Sequence, residues 1–369
     1  MRWPWLQALH EPEIVVGWSL GQWQDTIRQA RRLRLLARLA EALAAADLLG
    51  AVPEPAARLL LAEQQSSRYR KRLLAWAATR IGRTLQDLGA PLVLLKGAAY
   101  QAQRLPIAAG RLPSDLDILV PHDALGRALQ TLAADGWKEP DLDEHDRRYY
   151  HEWSHEAPPL RHPAHPVELD VHHNILPPLG PVAVDMPLLL AECRASGWPG
   201  WSVLSPADQV LHSAAHLFFD SQPLERMRDL VDLDGLLRHH GALDSGFWPA
   251  LLGRADQLGL SEPLLLACHF CEQWLQTPIG EPVGVRLRAA GPGHRVLRGL
   301  FGAVLAPAEL DRPRPRAQRA AAALVLWRHH LRRLPLRLLL PHLWHKLRGS
   351  RAAAAPQLTP PPEGRELLE

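Results

Sequence analysis

The sequence predicts an α+β protein, with a small mixed β-sheet core flanked by N-terminal and C-terminal helical regions. Three observations carry this. Apolar residues recur three and four apart across Ile27 to Leu48 and Ala57 to Leu88, which is the helical period. Short apolar or alternating runs of strand length cluster between residues 89 and 173. From Ser205 onward, helix signals return.

In order along the chain, residues 19 to about 90 read as helices, interrupted at AVPEP (51–55), because proline stops a helix. Leu92 to Leu95 is a short apolar strand running into Lys96-Gly97, then a short helix over Ala98 to Gln103. After the loop Arg104 to Ser114, Asp115 to Val120 is a second strand, and His122 to Asp135 an amphipathic helix stopped at Asp135-Gly136. Tyr149 to Ser154 and Val167 to His173 are further strands, joined by the proline-rich stretch His155 to Pro166. Ser205-Pro206 is a helix start, with Ser as N-cap and Pro at the first position. Helices are expected over 206–219, 224–239, 246–258 and 262–275. Residues 281–318 are rich in Pro, Gly and Arg, 319–348 read as a basic helical stretch, and 350–369 as a disordered tail. The implied division is 1–88, 89–204, 205–280, 281–349 and 350–369.

Composition sets bounds. A chain of 369 residues with 47% hydrophobic and 22% charged residues is ordinary for a soluble globular protein. A net charge of +3 does not by itself call for a nucleic-acid partner. Three cysteines give no disulfide framework and fit a reducing cytoplasm. Cys268-His-Phe-Cys271 lacks the second pair of a zinc site and is expected to be a buried helical pair. The first residues lack the pattern of a signal peptide, and no uncharged apolar run reaches the ~18 residues that span a bilayer. Only four of the 42 basic residues are lysines, so a lysine at 96, where arginine is the default, stands out.

The chemistry centres on Arg111-Leu-Pro-Ser-Asp-Leu-Asp-Ile-Leu-Val120. On a strand, Asp115 and Asp117 share one face, because side chains alternate with period two. Adjacent carboxylates repel, and burying them is costly unless a cation intervenes. Hard divalent cations take such oxygen ligands and keep positions open for phosphates. A solvated strand end is the alternative reading of the pair alone. Upstream, Lys96-Gly97 ends a strand where backbone amides can approach a phosphate. Downstream, Val167-Glu-Leu-Asp-Val-His172 alternates, so Glu168, Asp170 and His172 share a face that could add a third carboxylate.

Strand-Lys-Gly, then Arg…Asp-Leu-Asp-Ile-Leu-Val, then a strand with a third acidic residue resembles the nucleotidyltransferase superfamily related to DNA polymerase beta. More narrowly, the segment from about 85 to 175 is similar to an uncharacterised bacterial nucleotidyltransferase family marked by Leu-Lys-Gly-Ala-Ala, Arg-x-x-x-Asp-x-Asp-x-Leu-Val and Asp/Glu-x-His. The resemblance implies Mg²⁺ (or Mn²⁺) on Asp115, Asp117 and Asp170, which would move an NMP group from an NTP to an unidentified acceptor. It implies Lys96, Gly97, Arg111 and Ser114 at the nucleotide, with Glu168 and His172 as secondary candidates. The superfamily usually has Ser or Gly after the glycine, and Ala98 departs from this. A regulatory module that retains the fold with weak or no catalysis, or a peripheral membrane or scaffold protein, are the alternative readings.

Other features are expected to play lesser parts. His162, His165, His172 and His173 could suggest transition-metal binding, but their loop setting and irregular spacing read rather as surface histidines. His212 and His216 read as pocket-lining or packing residues on one helix face. Arg228, Asp229 and Asp232 could line the nucleotide cleft or form intrahelical ion pairs, and the second is expected. Residues 319–348 carry Arg319, Arg328, Arg332, Arg333, Arg337, Lys346 and Arg348 among Leu and Trp, and could meet an anionic membrane or acidic partner.

Overall fold

The computed structural model describes residues 3–333, apart from 145, 146, 149, 151, 152, 179, 181 and 220–223. The expected tail and the second half of the basic C-terminal stretch lie outside the described residues.

Fourteen helices occur among the described residues, and a six-stranded mixed sheet sits between the helical regions. The N-terminal part holds α1 (Pro4–Gln7), α2 (Leu20–Arg32), α3 (Leu36–Ala45) and the long α4 (Glu54–Thr84). Ser19 opens α2 with a reciprocal capping box to Gln22. The single helical run expected over Ile27 to Leu48 is split, because Arg34 takes a left-handed φ of 58° between α2 and α3. Trp23, Ile27, Leu36, Leu39, Leu43 and Leu60 form a small separate core under this arm.

The sheet strands are β1 (Val93–Leu94), β2 (Asp115–Leu119), β3 (Leu160–His162), β4 (His165–His172), β5 (Arg194–Ala195) and β6 (Ser202–Val203), in spatial order β3-β4-β2-β1-β6-β5. The short helix α5 (Lys96–Ala102) follows β1. β2 and β4 run parallel, with Asp117 opposite Asp170 and Ile118 opposite Val171. Parallel neighbours need a crossover, and α6 (His122–Ala134) lies in that connection. Leu116, Ile118, Leu169 and Val171 are fully buried in the main core, which leaves the alternate positions Asp115, Asp117 and Asp170 to the other face.

Two local expectations are corrected. Tyr149 to Ser154 is not a strand: among its described residues, Tyr150 is helical and Trp153 lies in a turn. The proline-rich connection instead contains β3, and two further strands, β5 and β6, pair only two residues each.

The remaining helices are α7 (Met186–Ala191), α8 (Pro206–Phe219), α9 (Met227–Leu243), α10 (Phe247–Gln257), α11 (Ser261–Leu275), α12 (Glu281–Arg288), α13 (Pro292–Leu305) and α14 (Arg316–Arg333). Ser205 caps α8 as expected, accepting from the Asp208 N–H at 3.2 Å. Phe218 of α8 stacks on Phe270 of α11 and meets Phe301 of α13 edge-on at 5.0 Å. The segment 281–318, irregular by composition, thus contributes α12 and α13 to the same core. Cys268 and Cys271 are a buried helical pair in α11. On α14, Arg328 and Arg332 both pair with Glu262 of α11, so two of its cations are already engaged. Among the described residues, no helix is long and apolar enough to cross a membrane.

Candidate active site

β1 delivers the first functional side chain. Leu95 N–H donates to the Asp117 carbonyl at 3.0 Å, and the chain then turns at Lys96 with φ +43°. A non-glycine residue there costs about 1–2 kcal/mol, and the turn sends the Lys96 side chain back across β2. Its ammonium lies 2.7 Å from Asp117 Oδ1. His172, at the end of β4, places Nε2 3.1 Å from the same oxygen. Burial alone would raise the Asp117 carboxyl, but Lys96 and His172 hold it well below the usual carboxylate range.

Its two neighbours are less well compensated. Asp115 receives one hydrogen bond, from Ser114 Oγ at 3.1 Å, and burial together with Asp117 raises its pKa. Asp170 faces Asp117 across the register. Burial, then the charges of Asp117 and Asp115, push it up to about 7. Three carboxyls therefore share one end of a cleft with a single ammonium among them.

The cleft has a volume of about 510 Å³, within the range of small-molecule sites. Its opposite wall comes from the helical regions and is rich in guanidinium groups: Arg32, Arg34, Arg226 and Arg228. Arg226 pairs with Asp229 and donates to His216 Nδ1 at 2.7 Å. Arg228 lies 3.4 Å from Asp229, with its Nη1 buried and unbonded. The Arg34 side chain is exposed and has no partner among the described residues. Burial and the Lys96 charge lower His212 to about 3 and also lower His216, so both rings are neutral at neutral pH.

Of the residues expected at the nucleotide, Lys96, Arg111 and Ser114 line the cleft, and several expected residues are also engaged in packing. Arg111 is buried and tied to Asp232, Nε to Oδ2 at 2.7 Å, with its guanidinium 5.6 Å from the Tyr100 ring centroid. Asp232 also binds Arg38 of α3 at 2.8 Å. The ion pairs of Asp232 are thus between elements, not within α9, and they join α3, α9 and the loop before β2. Gly97 is accounted for by this packing, since a Cβ there would lie 2.1 Å from Arg111 Nη1. Glu168 points away to Arg161 at 2.5 Å, whereas Asp170 lines the cleft. Ala98, at the position usually held by serine or glycine, is buried in the core. The four histidines are not all at the surface: His165 packs against Trp76 and Trp137, and His172 is only 1% exposed. Glu156, which no local pattern singles out, reaches His172 Nδ1 at 3.4 Å and lines the cleft.

A family model described as uncharacterised nucleotidyltransferase matches residues 19–276 of the chain. The chain belongs to this nucleotidyltransferase family. No curated protein and no solved structure matches it. The matched span of the nucleotidyltransferase runs from α2 through α11. It therefore takes in both walls of the cleft, the carboxylates and the arginines, and not the sheet alone.

Proposed function

We propose that the protein transfers an NMP group from an NTP to an acceptor hydroxyl, breaking the α–β phosphoanhydride bond and releasing pyrophosphate, with Asp115, Asp117 and Asp170 as the catalytic centre and Mg²⁺ or Mn²⁺ as the cofactor. The supporting observation is the trio of carboxyls across β2 and β4, two with raised pKa values, facing an arginine-rich wall of the same cleft. The donor set is all oxygen and carries more negative charge than Lys96 offsets, which suits a hard divalent cation. Such ions supply charge neutralisation on the triphosphate and a clamp for in-line displacement. Asp117 is held in one orientation by Lys96 and His172. Asp170, opposite Asp117 in the β2–β4 register, is the proposed base for the acceptor's hydroxyl proton. Arg34 and Arg228 supply donors for phosphate oxygens from the opposite wall.

The test is transfer of α-labelled NTP, with Mg²⁺ or with EDTA, to a panel of hydroxylated small molecules, sugars, proteins and RNA ends. Labelled product that disappears with EDTA and in Asp115→Asn/Asp117→Asn supports the assignment. Undiminished transfer by the double variant sinks it.

A further inference from the structure

Beside the carboxylate centre lies a second donor set with different chemistry. His155, Glu156 and His172 each direct one ligand atom to within 4.8 Å of the other two. The segment carrying the first two is fixed against β4 by backbone bonds. His173 N–H donates to the His155 carbonyl at 2.8 Å, Ala157 N–H donates to the Val171 carbonyl at 2.8 Å, and Glu156 bridges His172 in antiparallel fashion.

His172 carries the argument. Its side chain is 2% exposed, and Nε2 is committed to Asp117 at 3.1 Å. Nδ1 is buried and makes no hydrogen bond, with Glu156 Oε2 3.4 Å away. If Nε2 carries the proton given to Asp117, a lone pair on Nδ1 faces a carboxylate oxygen, and the two repel. Either a second proton or a metal ion relieves this. The separation is long for a charge-assisted hydrogen bond, which runs about 2.7–2.9 Å. It matches the edge of a tetrahedral site, since metal bonds of about 2.0–2.1 Å put ligand atoms about 3.4 Å apart. His155, with its ring 5.4 Å from that of His172, supplies a third donor that a simple proton does not require.

The geometry points to a transition-metal site, of the Zn²⁺ class, built from His155, Glu156 and His172 and distinct from the Asp115/Asp117/Asp170 centre. Two imidazoles and one carboxylate suit a borderline ion rather than Mg²⁺. Three protein ligands leave a fourth position open, and Glu156 lies on the cleft wall, which provides an entry path. The arrangement also has the outer partner expected of a metal-binding histidine, a carboxylate on its other nitrogen. Here that carboxylate is Asp117, so an ion on Nδ1 would lock the orientation of the proposed catalytic residue. The inference does not rest on the transfer reading, because its donors and its readout are separate.

Co²⁺ serves as the probe on the full-length protein. Wild type is expected to show the intense visible absorption of four-coordinate Co²⁺ and nitrogen ligation by X-ray absorption, and Zn²⁺ should displace the band. Glu156→Gln and His155→Asn should each weaken this binding tenfold or more, with unchanged circular dichroism and melting temperature in chelator. Mn²⁺ at the carboxylates, read by electron paramagnetic resonance, should survive both substitutions and be lost in Asp115→Asn/Asp117→Asn. An unchanged Co²⁺ band in both single variants overturns the inference. So does a wild type that shows no such band.

Discussion

Asp170→Asn should make the protein more stable than wild type, increasingly so as pH rises. Asp170 sits opposite Asp117 in the β2–β4 register, and its pKa is raised from 3.8 to about 7. A carboxyl with a raised folded pKa favours the folded state while protonated. That contribution is lost as pH climbs from the unfolded value through the folded one. At about 1.4 kcal/mol per unit, a three-unit shift is worth about 4 kcal/mol in full, of which about 2–3 kcal/mol falls between pH 5 and 8. Asparagine keeps the shape without the charge, so the variant escapes this loss. The measurement is urea unfolding of both proteins in chelator at unit steps across that range, read as the difference between them. The difference is needed because His212, lowered to about 3, contributes stability that is lost as pH falls below its unfolded value of 6.5, an opposite slope common to both proteins. Asp117, held below 3.8, acts only under more acid conditions. A difference that stays flat within about 0.5 kcal/mol from pH 5 to 8 refutes the reasoning.

Gly97→Ala should cost about 1–3 kcal/mol, because its Cβ would fall 2.1 Å from an Arg111 guanidinium already anchored to Asp232; an unchanged melting temperature contradicts this. Asp232→Ala should cost about 3–5 kcal/mol in urea unfolding, since it leaves both Arg38 and Arg111 buried without their counter-charge. A loss below about 1 kcal/mol would mean solvent compensates them. Lys96→Met should leave Asp117 less depressed, with a stability deficit present above about pH 4 that fades as pH falls through the folded pKa of Asp117. Parallel acid-unfolding curves for wild type and Lys96→Met would argue against the Lys96–Asp117 pair as the cause.

What could be read from the sequence follows from how local each cause is. Asp115, Asp117 and Asp170 were readable because strand alternation places them on one face, and β2 and β4 are long enough to display that period. β5 and β6 were not readable, because two-residue pairings are set by what lies beside them and carry no pattern of their own. The pairing of Asp232 with Arg111 and Arg38 crosses 121 and 194 residues of chain. An i,i+3 or i,i+4 reading of α9 could therefore not reach it. Glu156 lies in a proline-rich stretch without periodicity, and only its backbone pairing to His172 brings it to the cleft.

Lys96 shows the limit most clearly. Its identity stood out in a chain where arginine is the rule, but its role depends on a backbone angle no composition reveals. At φ +43° its ammonium is turned onto Asp117 at 2.7 Å, and there, at the cleft wall, it offsets a buried carboxylate. The ammonium has further N–H donors that can meet a phosphate while it holds Asp117, and a cation on Asp117 would release it further by taking over part of that compensation. Phosphate binding by Lys96 and cation binding by Asp117 are therefore coupled. In Lys96→Met the two would separate, with divalent-ion affinity at the carboxylates preserved or increased while nucleotide affinity falls. Equal losses of Mn²⁺ and NTP binding in that variant would show that Lys96 only supports the carboxylate.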